Sequence, residues 1–119
     1  YSAPNLPASG HNPLEDAFIA KVQAAVEARL DDETFGVPEL CRAAGMSRSQ
    51  LHCKVKALTG RSASHYIRAV RLYKARDMLL HSGLNITQVA FEVGFKDPAY
   101  FTRVFTREFG RSPSAFLKG

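Results

Sequence analysis

Ser49, His52, Cys53 and Lys56 follow one another at i, i+3, i+4 and i+7. On an α-helix that spacing puts all four side chains on one face. About fifty residues later, Thr102, Arg103 and Thr106 fall away from the stripe Phe101, Phe105, Phe109 that the same helix would bury. Hydroxyls, an imidazole, a thiol, an ammonium and a guanidinium on the outer faces of two short helices form a hydrogen-bonding surface rather than a catalytic set. No phosphate-cradling glycine loop or nucleophile elbow accompanies them. The four histidines are scattered, and the two cysteines, Cys41 and Cys53, make no zinc spacing. No catalytic residue, metal or cofactor is therefore expected. His52 alone would read as an ordinary solvated helix histidine, and only its place in a repeated unit gives it weight.

Both faces need helices to present them. Ile86, Val89, Ala90 and Val93 form an apolar stripe at helical spacing, and Gly94 ends it. Asp97-Pro98 then opens a second helix: the Asp side chain caps free N–H groups, and Pro lacks the N–H that would be orphaned. Two short helices across a glycine turn make a helix-turn-helix, whose second helix enters a DNA groove. Helix pairs of this kind also occur in proteins that bind no DNA, so one copy leaves both readings open.

The unit occurs twice. With Gly45 set against Gly94, Val37 matches Ile86, Leu40 matches Val89, Cys41 matches Ala90, Ala44 matches Val93 and Met46 matches Phe95. After one extra residue in the second copy, Leu51 matches Phe101, Val55 matches Phe105 and Gly60 matches Gly110. Two copies are a duplicated module, not a solenoid, which needs at least three.

From about Thr34 to Lys118 the chain resembles the DNA-binding domain of the AraC/XylS family of bacterial transcription regulators. The second motif carries most of the likeness, reading I-x-x-V-A-x-x-V-G-F-x-D-x-x-Y-F-x-R-x-F-x-x-x-F-G-x-S-P from Ile86 to Pro113. The first, L-x-x-x-A-G-M-S-x-S-x-L-x-x-K-x-K-x-L-T-G from Leu40 to Gly60, adds to it and is most similar to output domains of hybrid two-component sensors. The resemblance implies an all-α fold of about seven helices, with two helix-turn-helix subdomains (13–62 and 83–119) joined by a long connecting helix (63–82). It implies double-stranded DNA as partner, with RNA polymerase and an N-terminal sensor or signalling region of the same protein beside it. Carried over by motif, the base-contacting positions are Ser49, His52 and Cys53 on the first recognition helix, and Pro98, Ala99, Thr102 and Arg103 on the second. The guanidinium fork of Arg103 matches guanine O6 and N7. Arg48, Lys56, Arg68, Lys74, Lys96, Thr106 and Arg107 are placed for phosphates, which fix register without reading sequence. Cys53 stands where the family often has arginine, and Pro98 and Ala99 lack polar reach. DNA shape and methyl contacts then carry more of the readout.

Charge supports the same division. Residues 1–33 hold two basic and six acidic side chains, whereas residues 34–119 hold fourteen and five, a net +9. A cationic domain suits a polyanionic partner, although a solvated surface or a helical protein-interaction module would also tolerate that charge. No apolar run approaches 18 residues and no signal-peptide pattern is present. A cytoplasmic chain without membrane contact is expected, and the start at Tyr1 without Met suggests part of a longer protein.

The remaining elements follow in order. Residues 1–12, rich in Pro, Ala, Ser and Asn, read as a linker or remnant. Asn12-Pro13 starts a helix whose stripe is Leu14, Phe18, Val22, Val26 and Leu30. Gly36 with Glu39, Ser47 with Gln50, and Asn85 with Gln88 look like caps. Leu51, Val55 and Leu58 are expected to face inward, and Cys41 to be core. The connecting helix carries apolar residues around much of its girth, as a helix with a subdomain on each side should. Its Arg71 and Arg76 are read either as phosphate contacts or as ion pairs with Asp77 or Glu92. Ser112-Pro113 opens a last short helix, with Phe116 and Leu117 packing back.

Overall fold

Helices begin where the sequence supplies a cap. The computed structural model describes residues 13–117, which form α1 (Pro13–Ala28), α2 (Val37–Ala44), α3 (Arg48–Thr59), α4 (Ala63–His81), α5 (Ile86–Glu92), α6 (Pro98–Phe109) and a 3₁₀ turn (Pro113–Phe116). No strand occurs among the described residues. Ser47 and Gln50 exchange hydrogen bonds at the start of α3, and Asn85 and Gln88 do so at α5. At α2 the Glu39 carboxylate accepts the Gly36 N–H at 2.8 Å, and that bond holds its carboxyl below the usual range. Asp97 Oδ1 accepts the Ala99 N–H at 2.9 Å, with Pro98 at the first helical position of α6. Asn12 and the 1–12 segment lie outside the described residues.

Two cores sit at opposite ends of α4. The first gathers Val22 and Val26 of α1, Leu40 of α2, Leu51 and Val55 of α3, and Tyr66, Ile67 and Val70 of α4. The second gathers Leu72, Ala75 and Leu79 of α4 with Val89, Ala90 and Val93 and with Phe95, Phe101, Val104 and Phe105. The 19 residues of α4 extend about 28 Å at 1.5 Å per residue. One helix thus serves both cores, the first with its N-terminal half and the second with its C-terminal half.

Several expected contacts fall elsewhere. Leu14 is 81% exposed, because the first turn of α1 overhangs the core, and Ile19 is buried instead. α1 ends at Ala28, so Leu30 lies in the following turn and packs on the second core. Thr59, not Leu58, closes the inner face of α3, its hydroxyl donating to the Val55 carbonyl at 2.7 Å. Val104 joins Phe101 and Phe105, while Phe109 is half-buried between Phe105, Tyr73 and Phe116. Cys41 is half-buried against the first core. Leu117 is 39% exposed and does not pack back as Phe116 does.

The arginines of α4 make neither expected ion pair. Arg76 lies over the rings of Tyr73 and Phe109, 4.9 and 5.0 Å from their centroids. Asp77 instead approaches His81 at 3.8 Å, since neighbours on a helix point to different sides. Arg71 is buried and donates to four backbone carbonyls, those of Leu30, Asp32, Phe35 and Val93. Burial pulls its guanidinium down from the ordinary arginine range, with the charges of Asp32 and Asp31 pushing back.

Candidate nucleic-acid interface

α3 and α6 each bury one face in their own core and leave the other open. On α3, Arg48, Ser49, His52, Cys53 and Lys56 are all exposed, opposite Leu51 and Val55. On α6, Ala99, Thr102, Arg103, Thr106 and Arg107 are exposed and Pro98 is half-buried, opposite Phe101, Val104 and Phe105. The residues that the sequence groups are therefore brought onto two outward helix faces, one per core.

Several of the polar groups already hold local partners. Lys56 Nζ lies 3.2 Å from the Gly60 carbonyl, which ends its own helix. Thr106 Oγ1 donates to the Thr102 carbonyl at 2.8 Å, leaving the hydroxyl oxygen free to accept. Lys96 Nζ is 3.6 Å from Glu33, an exposed pair of small energetic weight. Lys74 and Arg68 are half-buried along α4. Contact with DNA at Lys56 or Lys96 thus means exchanging one weak partner for another.

Tyr100 is a side chain of this surface that spacing alone left without a role. Its hydroxyl lies 3.3 Å from Arg68 Nη1, and its ring sits 5.6 Å beneath the Arg103 guanidinium. One aromatic ring thus steers a cation from α4 and a cation from α6. The Tyr100–Arg103 spacing of i, i+3 was the available signal. Arg68, Arg103 and Lys96, with His65 of α4, line a cleft of about 850 Å³ between the two helix-turn-helix units, and Glu33 and Asp97 share its rim.

Arg61 was also unassigned. It forms a bidentate pair with Glu108 at 2.9 and 2.8 Å, joining the α3–α4 junction to α6. The carboxylate hydrogen bond holds the Arg61 guanidinium above its ordinary range. No group of three or more His, Cys, Asp or Glu side chains able to hold a metal ion occurs among the described residues. None of the helices there is long and apolar enough to cross a membrane.

A family model described as a helix-turn-helix domain matches residues 40–119. The chain belongs to the AraC/XylS family of helix-turn-helix transcription regulators. It is 33% identical over 114 residues to the HTH-type transcriptional activator RhaR of Salmonella dublin, covering 96% of this chain and 39% of that protein. It is 32% identical over 103 residues to histidine kinase P4 of Formosa agariphila, covering 87% of this chain and 8% of the relative. An AraC-type DNA-binding regulator structure from Chromobacterium violaceum superposes with a TM-score of 0.79 at 24% identity, over 88% of this chain and 93% of that one. The DNA-binding domain of AdpA, solved with a target DNA, has a TM-score of 0.71 at 28% identity, over 86% and 87% of the two chains. This AraC/XylS domain thus spans well under half the length of the curated relatives it matches.

Proposed function

We propose that this domain binds duplex DNA sequence-specifically, with α3 and α6 in successive major grooves, as the output region of a transcription regulator. One observation carries the reading: two outward polar faces, each opposite a closed apolar core, stand at the two ends of one 19-residue helix. A span of about 28 Å is commensurate with the groove repeat of about 34 Å on one face of DNA. In this reading Ser49, His52, Cys53, Pro98, Ala99, Thr102 and Arg103 meet bases. Arg48, Lys56, Arg68, Lys74, Lys96, Thr106 and Arg107 meet phosphates. Arg103 is the principal reader, with Tyr100 holding its guanidinium as a flat fork.

The kinase relative supports a place in a two-component protein, with a sensor or signalling region of the same protein supplying the input and RNA polymerase receiving the output. The experiment is a salt titration of binding on a selected duplex and on a scrambled one. About 6–10 phosphate contacts give a log–log slope of about −5 to −9, and the selected duplex should bind tighter at every salt. A flat salt response on both would instead mark a protein-interaction module.

A further inference from the structure

We propose that Arg71, buried where α4 passes between the two cores, is the positioning residue that sets the separation of the two recognition helices and hence the half-site spacing the domain accepts. The inference rests on the two-groove reading above. Arg71 lies where α4 passes from one core to the other, between Val70 of the first and Leu72 of the second. Its Nη2 donates to Asp32 O at 2.8 Å and Phe35 O at 3.1 Å, and its Nη1 donates to Leu30 O, all in the α1–α2 loop. The same Nη1 reaches Val93 O at 2.8 Å, in the turn that launches α6. One buried guanidinium therefore ties the loop of the first unit to the turn of the second, across the helix that joins them.

The turn is shaped around this tie. A β-carbon at Gly94 would stand 1.8 Å from Arg71 Nη1 and 2.5 Å from the Leu30 carbonyl oxygen. At Gly45, the equivalent turn of the first unit, a β-carbon would meet nothing within 4 Å. Glycine is thus needed at 94 for clearance of the guanidinium as well as for its φ of +87°. The Arg61–Glu108 pair is a second fastening between the same units. A lysine at 71 cannot replace the fork, because an ammonium is a point donor and cannot span carbonyls on two separate segments. With the tie loosened, the packing of two small cores on α4 is left to hold the relative pose of α3 and α6.

The test is a spacing scan. Duplexes with the selected half-sites at their native separation, and with one to three base pairs inserted, are titrated with wild-type and Arg71→Lys protein. For rigidly linked modules the second contact is lost when geometry forbids it, so insertion should weaken wild-type binding by about tenfold or more. In Arg71→Lys that penalty should shrink to about two- to threefold, while binding to an isolated half-site stays the same. A lowered melting temperature with an unchanged spacing penalty would overturn the inference and leave Arg71 a purely structural residue. A wild-type protein with no spacing penalty would instead refute the two-groove reading itself. Arg71→Gln, which carries no charge to bury, serves if the lysine variant does not fold. One measurement needs no change at 71: spin labels on Cys53 and on Arg107→Cys, in a Cys41→Ala background, should give one narrow distance in the free domain. A broad distribution there would overturn the tie.

Discussion

Gly45 and Gly94 close turns of the same hand, with φ of +68° and +87°, yet their surroundings differ completely. Gly45 looks onto open space, while Gly94 faces a buried guanidinium and a loop from the other unit. The first helix-turn-helix is thus packed on α1 and the N-terminal half of α4, with a largely aliphatic core around Leu40, Leu51 and Val55 beside Phe35 and Tyr66. The second is built against the rest of the molecule, on a core rich in Phe95, Phe101, Phe105, Phe109 and Phe116. Duplication supplied one turn twice. Interlocking the copies then constrained only one of the two turns, and similar sequence came to carry unequal structural demand.

The largest effect should come from placing alanine at each turn. Both variants pay for a left-handed backbone, about 1–2 kcal/mol. Only Gly94→Ala also displaces the Arg71 guanidinium from its carbonyls, and leaving a buried charge uncompensated costs about 3–5 kcal/mol. Urea unfolding should therefore show Gly94→Ala several-fold more destabilising than Gly45→Ala. Equal losses would mean that Arg71 swings aside freely, and the contrast between the units would collapse to backbone strain alone.

A second comparison uses Ala90 and its counterpart Cys41. Ala90 is fully buried in the second core, whereas Cys41 is half-buried at the edge of the first. Ala90→Leu should overpack its site and cost about 1–3 kcal/mol. Cys41→Leu can lean outward and should cost less. Thermal melts of the two variants would break the comparison if Cys41→Leu were the worse of the pair.

The units should also differ in how they hold DNA. Arg103→Ala removes a fork steered by Tyr100, and should cost about 1–3 kcal/mol on the selected duplex while relaxing preference at one base pair. Lys56→Ala should weaken selected and scrambled duplexes alike and flatten the salt slope by about one unit. If Arg103→Ala also weakened both duplexes equally, Arg103 would be a phosphate clamp. Base reading would then move to Ser49, His52 and Cys53 on α3.

The difference between the units was only half legible in the sequence. Helix ends were readable because caps are local: Ser47–Gln50, Asn85–Gln88 and Asp97–Ala99 act within three residues. The repeat and the two outward faces followed from period alone. Arg71 was not readable, because its partners are backbone carbonyls 22 to 41 residues away, and a carbonyl has no residue type to recognise. The Arg61–Glu108 pair spans 47 positions, and many other charge pairs were equally compatible with the pattern. Leu14 and Leu30 misled because a helical stripe says which face is apolar but not where the core beneath it stops. Tyr100 stood in the motif from the start, but a ring that orients two cations becomes visible only when α4 and α6 are placed side by side.

The smallest effect concerns the thiols, and it tests which surface of the first unit faces DNA without altering the protein. Cys53 is exposed on α3 between His52 and Lys54, and Cys41 is half-buried against the first core. A thiol reagent reaches an exposed sulfur faster than one that must wait for local opening. In the free domain Cys53 should therefore be modified first and Cys41 more slowly, though not excluded. Adding the selected duplex should slow Cys53, because its helix face is covered. Cys41 should change little, since it belongs to α2 and packs against the first core. Mass spectrometry of timed samples with and without DNA reads both sites at once. Protection of Cys53 by the selected duplex but not by a scrambled one at matched salt would put α3 in a specific groove alongside α6. If DNA left Cys53 as reactive as before, the first unit would be bound through its phosphate contacts alone. The comparison would then sharpen to one reading helix and one anchoring helix.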